Sequence, residues 1–277
     1  MNREKVKDLQ KAQLDILKYV HELCEKLDIT YFMAFGSLLG TIRHSGPIPW
    51  DADIDIVLFR DDYSKLKDYF LKHPENRYFY SDYTTDKNHF SPHAILIDKK
   101  THIVYSNKIQ TKYPSMYDGV YIDVFPIDKT SAERKLQIKQ ARDLMLVRRI
   151  INHKLAIIHD NTGVIKKEIK QIISCLLSPV SLQFLGERIS KIQQRYSAEN
   201  SDFYVIPTDN TCFDRIVPRS YYYPNRIVPY DKTYVSIPAR AEEILRQRYH
   251  DYMALPPEDE RWEYLDTVID DVIIEDN

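Results

Sequence analysis

The chain has 277 residues, 43% of them hydrophobic, enough to bury the core of one large domain or of a domain with a sizeable insertion. A formal net charge of −2 argues against a general nucleic-acid binder, and no apolar run reaches the roughly 18 residues that a membrane span needs. Cys24, Cys175 and Cys212 are an odd number with no C-x-x-C spacing, which disfavours both a disulfide framework and a zinc site.

The first residues, M-N-R-E-K-V-K-D-L-Q, carry charges where a signal peptide has its apolar centre, so the chain is expected to stay in the cytoplasm. Residues 4–27 read as a helix because Leu9, Ala12, Ile16, Leu17, Val20, Leu23, Cys24 and Leu27 follow the i, i+3, i+4 stripe, and its expected role is packing. Tyr31 to Phe35 reads as a buried strand ending at Gly36-Ser37, after which Leu38 to Ile42 turns helical. At such a junction glycine lets the backbone come close, the first N–H groups of a helix point outward unpaired, and the Ser37 hydroxyl adds a donor: a place for phosphate. Three of only six glycines, Gly36, Gly40 and Gly46, fall here, and Gly119 stands shortly before Asp123.

Asp51-Ala-Asp53-Ile-Asp55 followed by Ile-Val-Leu-Phe reads as a strand with carboxylates at alternate positions. Strand side chains alternate faces, so Asp51, Asp53 and Asp55 share one face and Ala52, Ile54 and Ile56 the other. Neighbouring carboxylates then start roughly 6.5 Å apart and either repel or lean together over a cation. The bland alternative is a solvated strand edge. A later strand-like run, Gly119-Val-Tyr-Ile-Asp123-Val-Phe-Pro-Ile-Asp128, places Asp123 between apolar neighbours, where a charge needs a partner.

Downstream of the aspartates, Asp61-Asp62 is expected to cap a helix over Tyr63 to Leu71, and segments 77–83, 93–98 and 102–106 have strand character. From Ser131 the texture becomes helical over 131–158, 164–178 and 181–197, with breaks at Asn161-Thr-Gly163 and Ser178-Pro179. Residues 131–197 hold 13 Lys or Arg against 5 Asp or Glu. The helix from Val164 is basic at one end and apolar at the other, as a solvated face, a membrane-surface helix or a partner-docking helix would be. Residues 202–237, rich in Tyr and Pro, read as loops with short strands near Ile216 and Tyr234 to Ile237; their rings either pack an irregular segment or hold a quaternary ammonium. Residues 239–250 make a last helix, and beyond Leu255-Pro256-Pro257 an acidic tail is expected to fray.

Strand, Gly-Ser, helix and a D-h-D strand form the pattern of the nucleotidyltransferase superfamily. The wording A-F-G-S-L-L-G-T-I-R-H-S-G-P-I-P-W-D-A-D-I-D-I, then Y-I-D-V-F-P-I-D, then H-D-Y-M-A-L-P-P, closely resembles the LicD family of phosphocholine and related phosphotransferases, to which fukutin-type ribitol-phosphate transferases are similar. The resemblance is dense over residues 28–60 and 117–128, recurs near 249–257, and departs at Ala52, where many members carry Asp.

The resemblance implies an α+β, nucleotidyltransferase-like mixed β-sheet with flanking helices plus a helical subdomain. The expected division is a catalytic core at 1–130, basic helices at 131–200 and a region completing the pocket at 201–277. Asp53, Asp55 and Asp123 would hold Mg2+ or Mn2+ and carry catalysis, with Asp123 also placed to take the acceptor proton. Gly36, Ser37, Arg43 and His44 would bind phosphate or nucleotide, although either of the last two can instead pair with Asp51; Trp50 packs or stacks on a base. The implied reaction moves phosphocholine, or glycerol or ribitol phosphate, from a CDP-alcohol donor to a glycan acceptor of the cell surface, lipid-linked in many cases, and releases CMP. Teichoic acid, capsule and lipopolysaccharide precursors are the acceptors it suggests, with a place in the cytoplasm at the inner face of the membrane. Two further readings fit the same residues: a nucleotidyltransferase that moves NMP from an NTP, and a scaffold that keeps the fold without turnover.

Overall fold

The computed structural model describes residues 3–105, 114–155, 164–208, 213, 215–258, 261 and 269–274. Its first half runs α1 (Arg3–Leu27), β1 (Tyr31–Met33), α2 (Phe35–His44), β2 (Asp55–Phe59), α3 (Arg60–Lys72), β3 (Tyr78–Ser81), β4 (Ala94–Asp98), β5 (Thr101–Tyr105) and β6 (Tyr121–Lys129). The second half adds α4 (Arg134–Leu155), α5 (Val164–Leu176), α6 (Leu182–Gln193), β7 (Tyr204–Val205), β8 (Arg226–Tyr230), β9 (Thr233–Ile237), α7 (Ala241–Tyr249) and β10 (Ile269–Ile274). This is an α+β chain.

The main sheet has the order β1-β2-β6-β4-β3, with β7 added to the far end of β6. β2 and β6 run parallel, and the other pairs in this sheet are antiparallel. Alternation along the strands decides what each face does. Ile56, Leu58, Ile122 and Val124 turn to the face covered by α1, whose Leu9, Ile16, Leu17 and Val20 are buried in the same apolar cluster. Val57, Phe59, Phe125 and Ile127 turn to the other face, into a cluster with Phe32, Tyr204 and Tyr222. α4 and α6 close around a third cluster that includes Leu144, Ile151, Leu185 and Ile189.

Several boundaries differ from the sequence expectation, each for a local reason. α2 begins at Phe35, so Gly36 and Ser37 lie inside its first turn rather than before it. Phe35 itself takes φ 48, the left-handed region that a bulky residue rarely occupies, which lets β1 turn into α2 without a loop. β2 likewise runs directly into α3 at Arg60, and Asp61 and Asp62 therefore sit in its first turn instead of capping it. Asp62 accepts from the Thr30 N–H (3.2 Å) and from Lys65 Nζ (2.9 Å). The last helix starts two residues later than expected.

The acidic tail does not fray throughout. β10 pairs antiparallel with β5, from Ile274 against Thr101 to Ile269 against Tyr105. The run Val272-Ile-Ile274 has β-branched residues whose preference for a pleated strand outweighs the acidic residues around them. The break expected at Asn161-Thr-Gly163 and the basic side chains Lys166 and Lys167 lie outside the described residues, as does Cys212.

Candidate active site

Parallel pairing of β2 and β6 puts Asp55 directly opposite Asp123, and the Asp123 N–H donates to the Ile54 carbonyl at 2.8 Å. Asp51, Asp53 and Asp55 open into a cleft of about 540 Å3 that is also lined by Phe35, Gly36, Phe90, His93, Phe125, Arg148, Arg248 and Tyr249. Ala52 and Ile54 point the other way and are buried, 8% and 1% exposed. The alternating pattern therefore extends upstream of Asp55, although regular strand begins only there.

The loop carrying the aspartates is held from two sides. From α1, Gln10 Nε2 donates to the carbonyls of Ile48 and Asp51 (2.9 and 2.8 Å), and Gln13 Nε2 to those of Ala52 and Tyr121 (2.7 and 3.2 Å). From α2, the Ser37 hydroxyl accepts the Asp55 N–H at 2.8 Å and lies 3.4 Å from the Asp53 carbonyl. A helix expected only to pack thus also positions the site through its two glutamines.

Three carboxyls here are raised from the ordinary aspartate value. Burial of the cleft floor, then the neighbouring charges of Asp123 and Asp51, push Asp53 up to about 7. Its residue surface is nevertheless exposed, so water screens part of that repulsion. Burial first, then Asp123, Asp53 and Asp51, raise Asp55 strongly, with Arg248 pulling the other way. Burial also raises Asp51, opposed by the backbone N–H groups of Asp53 and Ala52.

His93 was not singled out by the sequence. Its Nε2 lies 2.8 Å from Asp123 Oδ1, its ring centroid 3.9 Å from that of Phe125, and its buried Nδ1 has no hydrogen-bond partner among the described residues. It stands immediately before β4, which pairs with β6, and that pairing is a long-range contact with no local sequence signal. Arg148 and Arg248 also line the cleft. Arg148 donates to the Thr208 carbonyl at 2.8 Å. The Arg248 guanidinium lies over the Phe35 ring, 4.3 Å from its centroid. A signal for Arg248 existed, since it adjoins the third stretch of family wording.

The structure distributes the expected phosphate-binding residues unevenly. Gly36 lines the cleft, and a Cβ there would sit 2.5 Å from Asp51 Oδ2, so glycine is what lets this carboxylate lie against the helix. Ser37, expected to add a donor for phosphate, is 2% exposed, and its hydroxyl is engaged with the aspartate loop. Arg43 is not among the cleft-lining residues: its NH1 donates to the carbonyls of Tyr252 and Ala254 (3.1 and 3.0 Å). His44 packs edge-on against Trp50 at 5.8 Å, and Arg261 lies 5.1 Å from the Trp50 centroid, so this group fastens the C-terminal turn. In the Tyr-rich segment, Tyr222 and Tyr223 pack on Phe32 and Phe59 rather than opening into the cleft.

Among the described residues, no three His, Cys, Asp or Glu side chains converge into a set able to hold a metal ion. The chemistry of Asp53, Asp55 and Asp123 nevertheless suits a hard divalent cation. They are oxygen donors on one face, and the burial and mutual repulsion that raise Asp53 and Asp55 are what a cation offsets.

Residues 28–153 match the family model described as LicD/FKTN/FKRP, nucleotidyltransferase domain. This segment is similar to the LicD family. It contains Asp53, Asp55, Asp123, His93 and Arg148, whereas Arg248 reaches the cleft from outside it. The chain is also similar to the lipopolysaccharide cholinephosphotransferase LicD of Haemophilus influenzae, 26% identical over 275 residues that cover 94% of this chain and 96% of that protein. An uncharacterized protein of Rickettsia prowazekii is 31% identical over 120 residues, 41% of this chain and 44% of its own length. The ribitol 5-phosphate transferases FKRP of mouse and human are 36% identical over 52 residues, 19% of this chain and 10% of theirs.

Proposed function

We propose that this LicD-like phosphotransferase moves a phosphorylated alcohol, phosphocholine before glycerol or ribitol phosphate, from a CDP-activated donor to a sugar hydroxyl of a cell-surface glycan precursor. The observation that carries the reading is the pairing of Asp123 with Asp55, which lines the cleft together with Asp53. Similarity to a lipopolysaccharide cholinephosphotransferase along nearly the whole chain supports phosphocholine. The core at 1–130 supplies the carboxylates, the helices of 131–200 supply Arg148, and the 201–277 region closes the cleft with Thr208, Arg248 and Tyr249.

Asp53, Asp55 and Asp123 are the residues that would hold Mg2+ or Mn2+. When bound, such an ion neutralises the diphosphate and stabilises the departing CMP. Arg148 and Arg248 take the phosphate-gripping role first expected of Arg43 and His44, since a guanidinium matches phosphate oxygens in pairs. The N–H groups of the first turn of α2 around Gly36 face the same charge. The acceptor oxygen attacks the distal phosphorus, the bond to the CMP oxygen breaks, and the acceptor proton passes to Asp123. A Phe35, Phe90, Phe125 and Tyr249 lining offers aromatic faces to the alcohol, the part that the Tyr-rich segment was expected to play. Such a reaction places the chain on the cytoplasmic side, where activated nucleotides meet glycan precursors.

The test is incubation with Mg2+ and CDP-choline, CDP-glycerol, CDP-ribitol, CTP or ATP, following CMP against pyrophosphate. Cation-dependent CMP release from a CDP-alcohol is the expected result. Pyrophosphate from an NTP establishes the nucleotidyltransferase reading, and absence of both turnover and donor-induced thermal stabilisation leaves the scaffold.

A further inference from the structure

We propose that the outward face of α4 and α6 docks on an anionic lipid bilayer. This does not rest on the transferase reading, because neither donor nor acceptor enters the argument. At about 100° per residue, Lys135, Ile138, Lys139, Arg142, Leu146 and Arg149 fall within one stripe of α4 about 100° wide. All six are exposed, Ile138 by 38% and Leu146 by 60%. Arg148 and Ile151, which line the catalytic cleft, leave α4 on the other side.

α6 lies alongside, and the two helices form a groove of about 390 Å3 to which Leu146, Val147, Arg188, Lys191 and Arg195 contribute. The exposed cations of α6 therefore adjoin those of α4 in one field. Lys191 and Arg195 are ion-paired, with Glu187 and Asp143. Lys135, Lys139, Arg142 and Arg149 have no ion pair among the described residues. Four like charges held on one helix face repel one another at a cost to the folded chain, and an anionic surface offsets it.

The apolar residues decide which anionic surface. A soluble polyanion needs cations alone. Ile138 and Leu146, set among those cations, offer hydrocarbon that the boundary between headgroups and acyl chains solvates better than water does. α5 continues the theme with Ile169, Ile172 and Leu176 at i, i+3 and i+7, exposed by 51%, 61% and 74%. Among the described residues no helix is long and apolar enough to cross a membrane, so the contact is with the surface.

The experiment is co-sedimentation of the full chain with vesicles of phosphatidylcholine alone or mixed with phosphatidylglycerol, over a range of salt. Binding is expected only with phosphatidylglycerol and is expected to weaken as salt rises. Arg142→Gln with Arg149→Gln should lower the partition coefficient about thirtyfold, as loss of two near-surface cations does. Ile138→Ser with Leu146→Ser should lower it about tenfold or more, with melting temperature unchanged in both double variants. Equal sedimentation with both vesicle types overturns the proposal. So does a result in which the arginine variant loses binding while the apolar variant keeps it and dextran sulfate competes fully, since that describes a polyanion site.

Discussion

Ala52 shows how one residue separates chemistry from stability. Its side chain leaves the loop on the face away from Asp53 and packs in the core, with Gln13 bonded to its carbonyl. Ala52→Asp is therefore expected to leave the cleft charges alone yet bury a carboxylate, lowering stability by about 1–3 kcal/mol in a denaturant melt. A large change in cation affinity with no loss of stability would instead mean that position 52 faces the cleft. Asp53→Asn or Asp55→Asn should abolish transfer, by about a hundredfold or more, while the fold is retained or made firmer without cation, because each removes a repelling charge.

The raised Asp53 carboxyl also gives a pH signature. Folded, it holds its proton up to about 7, whereas an unfolded aspartate releases it near 4. Between those values the folded chain binds the extra proton, so this group's contribution to stability falls as pH rises through the window and is lost above it. Without divalent cation, the wild-type melting temperature should drop from pH 5 to pH 8 more steeply than that of Asp53→Asn. Parallel profiles would refute this.

At the scale of elements, α2 is where the sequence reading and the structure part most usefully. Gly36-Ser37 was legible as a special junction, but the partner of the serine was not, because it arrives from a loop 16 to 18 residues later. If Ser37 positions the aspartates, Ser37→Ala should cost about 1–3 kcal/mol of stability as well as activity, by orphaning the buried Asp55 N–H. A rise in KM for the donor at unchanged stability would restore the phosphate role. The alternating aspartates and the stripe of α1 were readable because each is a local period. His93 was not, and Arg248 was marked only by its place beside the third stretch of family wording, because β-pairing and the return of α7 to the cleft are long-range. Arg248→Ala should weaken donor use by about ten- to a hundredfold in kcat/KM, the worth of charge-assisted bonds, and Arg248→Lys should recover only part.

At the scale of the whole molecule, the strand β10 has a consequence for how the chain behaves when shortened. Among the described residues β5 belongs to no other sheet, and β10 is its partner through the register from Thr101 to Tyr105. Ending the chain before Ile269 would leave the cleft residues in place but strip β5 of its cover, baring a row of backbone N–H and C=O groups beside the half-exposed Val104. An uncovered edge of that kind is a template for a second molecule. The shortened protein should remain folded by circular dichroism yet self-associate with rising concentration in light scattering, a hazard of solubility rather than of catalysis.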